Sequence, residues 1–103
     1  MMRKILCAGD VPKTGGQVLP PSAATCLIGN RQAALIGGQA FCAACGQTGI
    51  IIKAGGPYRP RYPGGEGALE FDVLQCGCQP LPKLLVVTHN QAKVEDQNQG
   101  ITD

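Results

Sequence analysis

The chain is poor in aromatic residues and histidine, and it has no long apolar segment. Its 103 residues include no Trp, two Phe, two Tyr and one His. Aromatic side chains bury the largest areas in most cores, and a domain of this length buries only about two-thirds of the surface that its unfolded chain exposes. We therefore expect a small, marginal core, for which a structural metal ion would compensate.

Charge and hydropathy exclude several kinds of partner. The net charge of +2 is too small to indicate binding to nucleic acid or to a membrane surface. The basic start Met1–Lys4 is similar to the first part of a secretory signal, but the apolar segment behind it ends at Asp10. No apolar run approaches the roughly 20 residues that span a bilayer. We expect no nucleic-acid partner, no membrane anchor and synthesis in a reducing cytoplasm.

Residues that break helices are frequent and favour β-structure. The chain contains 15 Gly and eight Pro, so few windows of a dozen residues are free of them. The apolar segments between them are short and rich in β-branched residues: 17–19, 25–28, 34–36, 49–52, 73–74 and 84–87. This pattern predicts an all-β domain of many short strands. A helix over 32–44 is the alternative there, although Gly37 and Gly38 would interrupt it.

A weak internal repeat accompanies this pattern. A shift of 34 residues aligns five pairs of identical residues, namely Thr14-Gly15 with Thr48-Gly49, Ala34-Leu35 with Ala68-Leu69, and Cys42 with Cys76. We interpret the repeat as two copies of a small multi-stranded unit, each ending in a cysteine turn. If the two copies are related by symmetry, both cysteine turns lie at the same end of the molecule.

Two segments lack the apolar pattern. Residues 53–65 alternate Arg and Tyr with Pro and Gly; they could stack on single-stranded bases, but an exposed, extended loop is the simpler interpretation. Residues 90–103 are rich in Gln, Asn and Asp and predict a flexible polar tail. We therefore divide the chain into a folded domain, 1–89, and a tail, 90–103.

Four of the six cysteines form two close pairs. Two residues separate Cys42 from Cys45 and one separates Cys76 from Cys78, and each pair adjoins a glycine. Four thiolates bind zinc as a tetrahedron at about 2.3 Å, and glycine permits the tight turns that carry such pairs. Two disulfides, or four buried thiols, are the alternatives. In a reducing compartment the spacing favours a metal site, for zinc or, with the same ligands, for iron.

The remaining candidate ligands are less clear. Cys7 and Cys26 lie in apolar segments, where free cysteine behaves as a small buried hydrophobic residue. His89, the single histidine, follows the last predicted strand. Whether any of these three residues contributes a ligand stays open at this point.

In their order and spacing, several motifs resemble those of PAAR-repeat proteins, the small tips of type VI secretion spikes. Residues 9–19 are similar to the family's start, a Gly-Asp, four residues, then Gly-Gly and a strand. Residues 28–37 fall where the family has its Pro-Ala-Ala-Arg stretch, which reads Gln32-Ala33-Ala34-Leu35 here. Residues 42–46 and 68–78 resemble its cysteine-bearing turns. The resemblance covers 5–87.

The resemblance also shows one departure at the expected metal site. Many members carry a histidine ligand directly before the first Gly-Gly, where this chain has Thr14. Threonine is a poor zinc ligand, so the family's mixed histidine and cysteine set does not carry over whole. The simplest replacement is an all-cysteine set of Cys42, Cys45, Cys76 and Cys78, and a change at Thr14 is expected to matter little.

The resemblance implies a fold and a structural function. The fold would be a small cone of short strands, β-helix-like or pyramidal, with its tip held together by the metal. Its broad face would bind the blunt end of a trimeric VgrG spike, and 18–19 and 50–52 are candidates either for that face or for the core. Such a protein caps and sharpens the spike, could recruit a secreted effector, and is exported with the spike from the bacterial cytoplasm.

Two other classes of function are considered. A redox Cys-x-x-Cys pair acts from a helix N-terminus beside a βαβ unit, and a hydrolytic zinc site keeps one ligand position open. Neither arrangement is predicted, so we expect no enzyme. The alternative is a zinc-ribbon-like adaptor that binds nucleic acid or protein, although the separation of Cys45 from Cys76 exceeds the usual ribbon spacing.

Overall fold

The protein is described here by a computed structural model, which describes residues 2–21, 25, 27–28, 31–56, 58–87 and 93–95. These residues form short strands and no helix, so the predicted all-β fold is confirmed. The strands are β1 (Met2–Lys4), β2 (Val11–Pro12), β3 (Gly16–Val18), β4 (Leu27–Ile28), β5 (Arg31–Gln32), β6 (Gln39–Cys42), β7 (Gln47–Ile52), β8 (Arg61–Tyr62), β9 (Gly65–Glu66), β10 (Val73–Gln75), β11 (Leu84–Leu85) and β12 (Lys93–Glu95). The helix considered for 32–44 is absent, and β6 lies within that segment.

No helix that could cross a membrane is present among the residues just given.

Six of the strands form a closed wall. An antiparallel sheet in the order β10-β7-β6-β3 is extended by the antiparallel pair of β11 and β2. Val18 N–H donates to the Asp10 carbonyl and thereby joins β3 to β2, while Leu84 N–H donates to the Asp72 carbonyl and joins the β11 end to the β10 end. We call these strands (β2, β3, β6, β7, β10 and β11) the six-stranded wall. Because it closes on itself, none of them is left as a free edge.

Side chains alternate across this wall. Val18, Ala40, Ile51 and Leu74 point inward and are buried, as the two-residue period of a strand requires. Their neighbours Phe41 and Ile50 lie on the outside, 40% and 39% exposed. Of the two segments considered for the broad face, the inward residues therefore belong to the core.

Three further segments, 4–8, 32–36 and 66–70, form what we call the triangular layer at one end of the wall. Leu6 N–H donates to the Ala68 carbonyl at 3.1 Å, Ala34 N–H to the Leu6 carbonyl at 2.8 Å, and Ala68 N–H to the Ala34 carbonyl at 2.9 Å. The three hydrogen bonds make a closed cycle. Successive members of the cycle are 28 and 34 residues apart, so the layer has approximate threefold symmetry.

The same symmetry governs how the chain leaves the layer. Gly9, Gly37 and Phe71 all have positive φ, of 94°, 88° and 72°. Their N–H groups donate to equivalent wall residues, the carbonyls of Val18, Ile51 and Leu84. The repeat is thus threefold, and the predicted two copies were wrong in number. The first copy escaped detection because its offset is 28 rather than 34 and because Phe71 replaces glycine in the third copy.

Both chain ends take part in the third repeat. The hairpins β4-β5 and β8-β9 enter the second and third copies, and the equivalent pair in the first copy is β1 with β12. The polar composition of 90–103 predicted a flexible tail, but Lys93–Glu95 pair with Met2–Lys4. This part of the prediction needs correction, because backbone hydrogen bonds to an open strand do not require apolar side chains.

The segment 53–65 is also more ordered than predicted. Arg61–Tyr62 pair with Gly65–Glu66 in a hairpin, and Arg59 is 2% exposed. The Arg59 guanidinium donates to Asp72 Oδ1 at 2.6 Å, and Arg3 donates to the same oxygen at 2.9 Å. Arg59 therefore belongs to a buried ion cluster, whereas Tyr58 is exposed as expected. Pro57 lies outside the described residues.

Candidate metal centre

The hairpin turns of the wall meet at its other end, away from the triangular layer. Thr14, Cys42 and Cys76 occupy equivalent positions there, each four residues after an equivalent turn residue, Asp10, Gly38 or Asp72. The threefold symmetry brings these three residues together, and Cys45 and Cys78 follow on the turns of the second and third hairpins.

The structure brings all four predicted ligands into one cluster. The Sγ atoms of Cys42, Cys45, Cys76 and Cys78 all lie within 4.8 Å of one another, and those of Cys42 and Cys78 are 3.6 Å apart. Bonds of about 2.3 Å in a tetrahedron place sulfur atoms roughly 3.8 Å apart. The described cysteines are all free thiols, so the cluster has the composition and the spacing of a four-thiolate metal site.

Glycines allow the turns to approach each other. A Cβ on Gly49 would collide with the Gln75 carbonyl oxygen and come within 3.1 Å of Cys76 Cβ. Gly46 adopts a φ of 67° and donates its N–H to the Cys42 carbonyl at 2.9 Å, which closes the turn between the paired cysteines. Each position therefore requires glycine, for space in one case and for conformation in the other.

The sulfur atoms differ in their acidity. The pKa of Cys42 is lowered to about 6, first by a hydrogen bond with the Thr14 hydroxyl and then by the Cys45 backbone N–H. The pKa of Cys78 is raised to about 12, chiefly by its interaction with Cys42, and burial raises the pKa of Cys76. Without a metal the cluster therefore keeps its first negative charge on Cys42 and resists a second one.

Thr14 is the residue that sequence reasoning undervalued. Its Oγ1 lies 3.1 Å from the Sγ of Cys42, which is fully buried although Thr14 is exposed. The signal in the sequence was the offset of 28 residues between Thr14 and Cys42, which the search at an offset of 34 did not reveal.

The other candidate ligands do not join this cluster. Cys7 is buried in the triangular layer, packed with Ile5, Ala33 and Leu69, as expected for a core cysteine. Cys26 and His89 lie outside the described residues.

Comparison with known proteins agrees with this architecture. Residues 8–80 match the family model of the PAAR motif, which is well over half of the chain. The chain therefore belongs to the PAAR-motif family, and the motif points to a protein of the type VI secretion spike-tip type. Comparison with curated proteins gave no match, and neither did comparison with solved structures.

The stretch that corresponds to the family's name has a clear structural role. Ala33 and Ala34 are 0% and 1% exposed, and Ala34 is one corner of the hydrogen-bonded cycle. Only small side chains fit where three chain segments converge. Gln32 and Leu35, which replace the proline and the arginine of the name, lie at the two ends of this crossing.

Proposed function

We propose that this chain is a structural tip protein that caps and sharpens the trimeric VgrG spike of a type VI secretion system. The observation that carries the proposal is the pairing of a threefold backbone layer at one end of the wall with a four-thiol cluster at the other. A threefold surface can dock on the blunt end of a trimer with all three partner chains in equivalent contacts. The cone shape expected from the family is part of this proposal.

Surface hydrophobicity supports docking through the end that carries the triangular layer. Among the described residues, large apolar side chains are exposed at Leu27, Phe41, Ile50, Tyr58, Phe71 and Val87. Phe41 and Ile50 lie on the side of the wall. The other four belong to segments that adjoin the triangular layer, where Leu27 is 65% and Val87 55% exposed. Exposed apolar side chains gathered on one face are typical of a protein contact.

The metal would be structural. Cys42, Cys45, Cys76 and Cys78 would hold zinc, or iron, and the ion would link the turns of two hairpins. Such a link stabilises a narrow end in which there is little room for an apolar core. Four thiolates fill a tetrahedral coordination sphere, so we propose no enzymatic activity at this site.

Binding to the spike protein gives the first test. Mixed with a VgrG trimer from the same bacterium, one chain should bind per trimer, which adds 10.7 kDa to the mass of the complex. Leu27→Glu and Val87→Glu should each weaken binding, whereas the matched control Ile50→Glu, on the side of the wall, should bind like the native chain. Three chains bound per trimer, or none, would contradict the proposal.

Metal analysis gives the second test. Purified protein should contain about one zinc or iron per chain, in line with a single four-thiolate site. A metal content near zero with all thiols reactive would refute the site without affecting the docking proposal.

Export and recruitment complete the proposal. The protein would be made in the bacterial cytoplasm and leave with the spike, and it could carry a secreted effector that binds to its outer surface. A zinc-ribbon-like adaptor would behave differently, since it would retain nucleic acid at low salt and lose it steeply as salt rises.

A further inference from the structure

We propose that Thr14 is a positioning residue of the metal centre: its hydroxyl donates a hydrogen bond to the Cys42 thiolate and slows release of the metal. The inference rests on the metal site proposed above and adds a residue that is not itself a ligand. It gives the first of the three equivalent hairpins, which has no cysteine, a role at the tip.

The geometry supports a direct contact. Thr14 Oγ1 and Cys42 Sγ are 3.1 Å apart, a short distance for a hydrogen bond to sulfur. Once Cys42 is a thiolate it has no proton to donate, so the hydroxyl must be the donor. The Cys45 backbone N–H supplies a second hydrogen bond to the same sulfur. Cys42 therefore receives donors from two hairpins.

The charge of the site explains why a donor is useful there. Four thiolates around a divalent ion leave a net charge of −2. No lysine, arginine or histidine in the described part of the chain forms a hydrogen bond or ion pair with the cluster that the structure shows. The charge must be offset by dipoles, and outer hydrogen bonds of this kind commonly tune metal affinity by about 10- to 100-fold.

The position of Thr14 also shields the site. Cys42 is fully buried, whereas Cys45, Cys76 and Cys78 are half-buried. Thr14 is exposed and sits over the Cys42 sulfur. Its methyl and hydroxyl groups thus separate this thiolate from water, which would otherwise compete for the sulfur and assist its protonation.

The test compares three variants of the full chain loaded with Co²⁺ as a spectroscopic probe. Thr14→Val keeps the size and removes the hydroxyl; Thr14→Ser keeps the hydroxyl; Thr48→Val makes the same change on the outer side of the wall. Thr14→Val should release the metal to a chelator about 10-fold faster than the native chain. Its sulfur-to-cobalt charge-transfer band should move to lower energy, because the sulfur lone pairs lose a stabilising donor. Thr14→Ser and Thr48→Val should match the native chain in both measurements.

The outcomes separate this inference from the proposed metal site. If the native chain binds no Co²⁺, the metal site itself fails, and the role of Thr14 fails with it. If the native chain binds Co²⁺ and Thr14→Val matches it in rate and band position, the metal site stands and the role of Thr14 is refuted. Faster release from Thr14→Ser equal to that from Thr14→Val would refute the role of the hydroxyl.

Discussion

The two ends of the six-stranded wall are held together by different means. At the triangular layer, backbone hydrogen bonds cross between all three repeats, and buried apolar residues such as Leu6 and Leu69 fill the space. At the end with the hairpin turns, four thiols converge and few apolar side chains are available. The comparison shows that one repeated backbone arrangement can be stabilised by packing at one end and by a metal site at the other.

The symmetry is kept by the backbone and broken by the side chains. The equivalent positions 14, 42 and 76 carry Thr, Cys and Cys, and positions 10, 38 and 72 carry Asp, Gly and Asp. Asp10 and Asp72 each accept a backbone N–H three residues earlier, from Cys7 and Leu69, whereas Gly38 has no side chain to do so. A threefold frame thus accommodates different chemistry in each repeat.

The largest effect is expected from loss of the metal site. Cys76→Ser should lose the metal and lower the thermal midpoint sharply, since metal binding contributes on the order of 10 kcal/mol to folding in small thiolate-ligated domains. Cys7→Ser, the same change in the triangular layer, should keep the metal and show a smaller loss of stability. Metal content and thermal unfolding measured together decide the matter; retained metal in Cys76→Ser would break the comparison.

A smaller effect is expected from the buried ions beside the triangular layer. Asp72 Oδ1 accepts hydrogen bonds from Arg3, Arg59 and the Ala54 N–H, and all three charged side chains are almost fully buried. Asp72→Asn leaves two buried guanidinium groups without this anion, which should cost about 3–5 kcal/mol of unfolding free energy. Chemical denaturation of the metal-loaded protein measures it, and the metal content should stay unchanged. A cost below that of an exposed ion pair would contradict the role assigned to Asp72.

The acidity of the thiols predicts a pH dependence confined to the metal end. At neutral pH Cys42, with its pKa near 6, is a thiolate, whereas Cys78, with its pKa near 12, must lose a proton when metal binds. Metal affinity should therefore fall at least about tenfold for each unit decrease in pH. Below about pH 6 the decline should steepen, because Cys42 then binds a proton as well. Competition with a chelator between pH 5 and 8 tests the sign, and affinity that does not change with pH would be inconsistent with thiolate ligands.

The smallest effect is expected at the surface. Glu66 pairs with Lys53 at 3.1 Å, and both side chains are about one-third exposed. Glu66→Gln should change the unfolding free energy by less than about 1 kcal/mol, because water screens such pairs. This substitution is the matched control for Asp72→Asn, as both replace a carboxylate with an amide. Equal effects of the two changes in denaturation would remove the distinction between the buried and the exposed ions.

Much of the fold and of the candidate site could be predicted from particular residues. The glycines and prolines predicted short strands, and the spacing of Cys42, Cys45, Cys76 and Cys78 predicted that their sulfur atoms would meet. The number of repeats was wrong, because one offset of 34 residues showed only two of the three copies. Arg59 was expected on an exposed loop, since its burial depends on Asp72, 13 residues further along the chain.

The sequence by itself determined the β-structure and the sulfur-rich turns, since both follow from local conformational preferences and from the chemistry of thiols. The tertiary structure decided what only distant residues can decide. It closed Leu6, Ala34 and Ala68 into a cycle, placed Thr14 against Cys42, and paired Lys93–Glu95 with the opposite end of the chain. Each of these contacts joins segments far apart in sequence, and backbone hydrogen bonds carry no side-chain pattern from which their partners could be read.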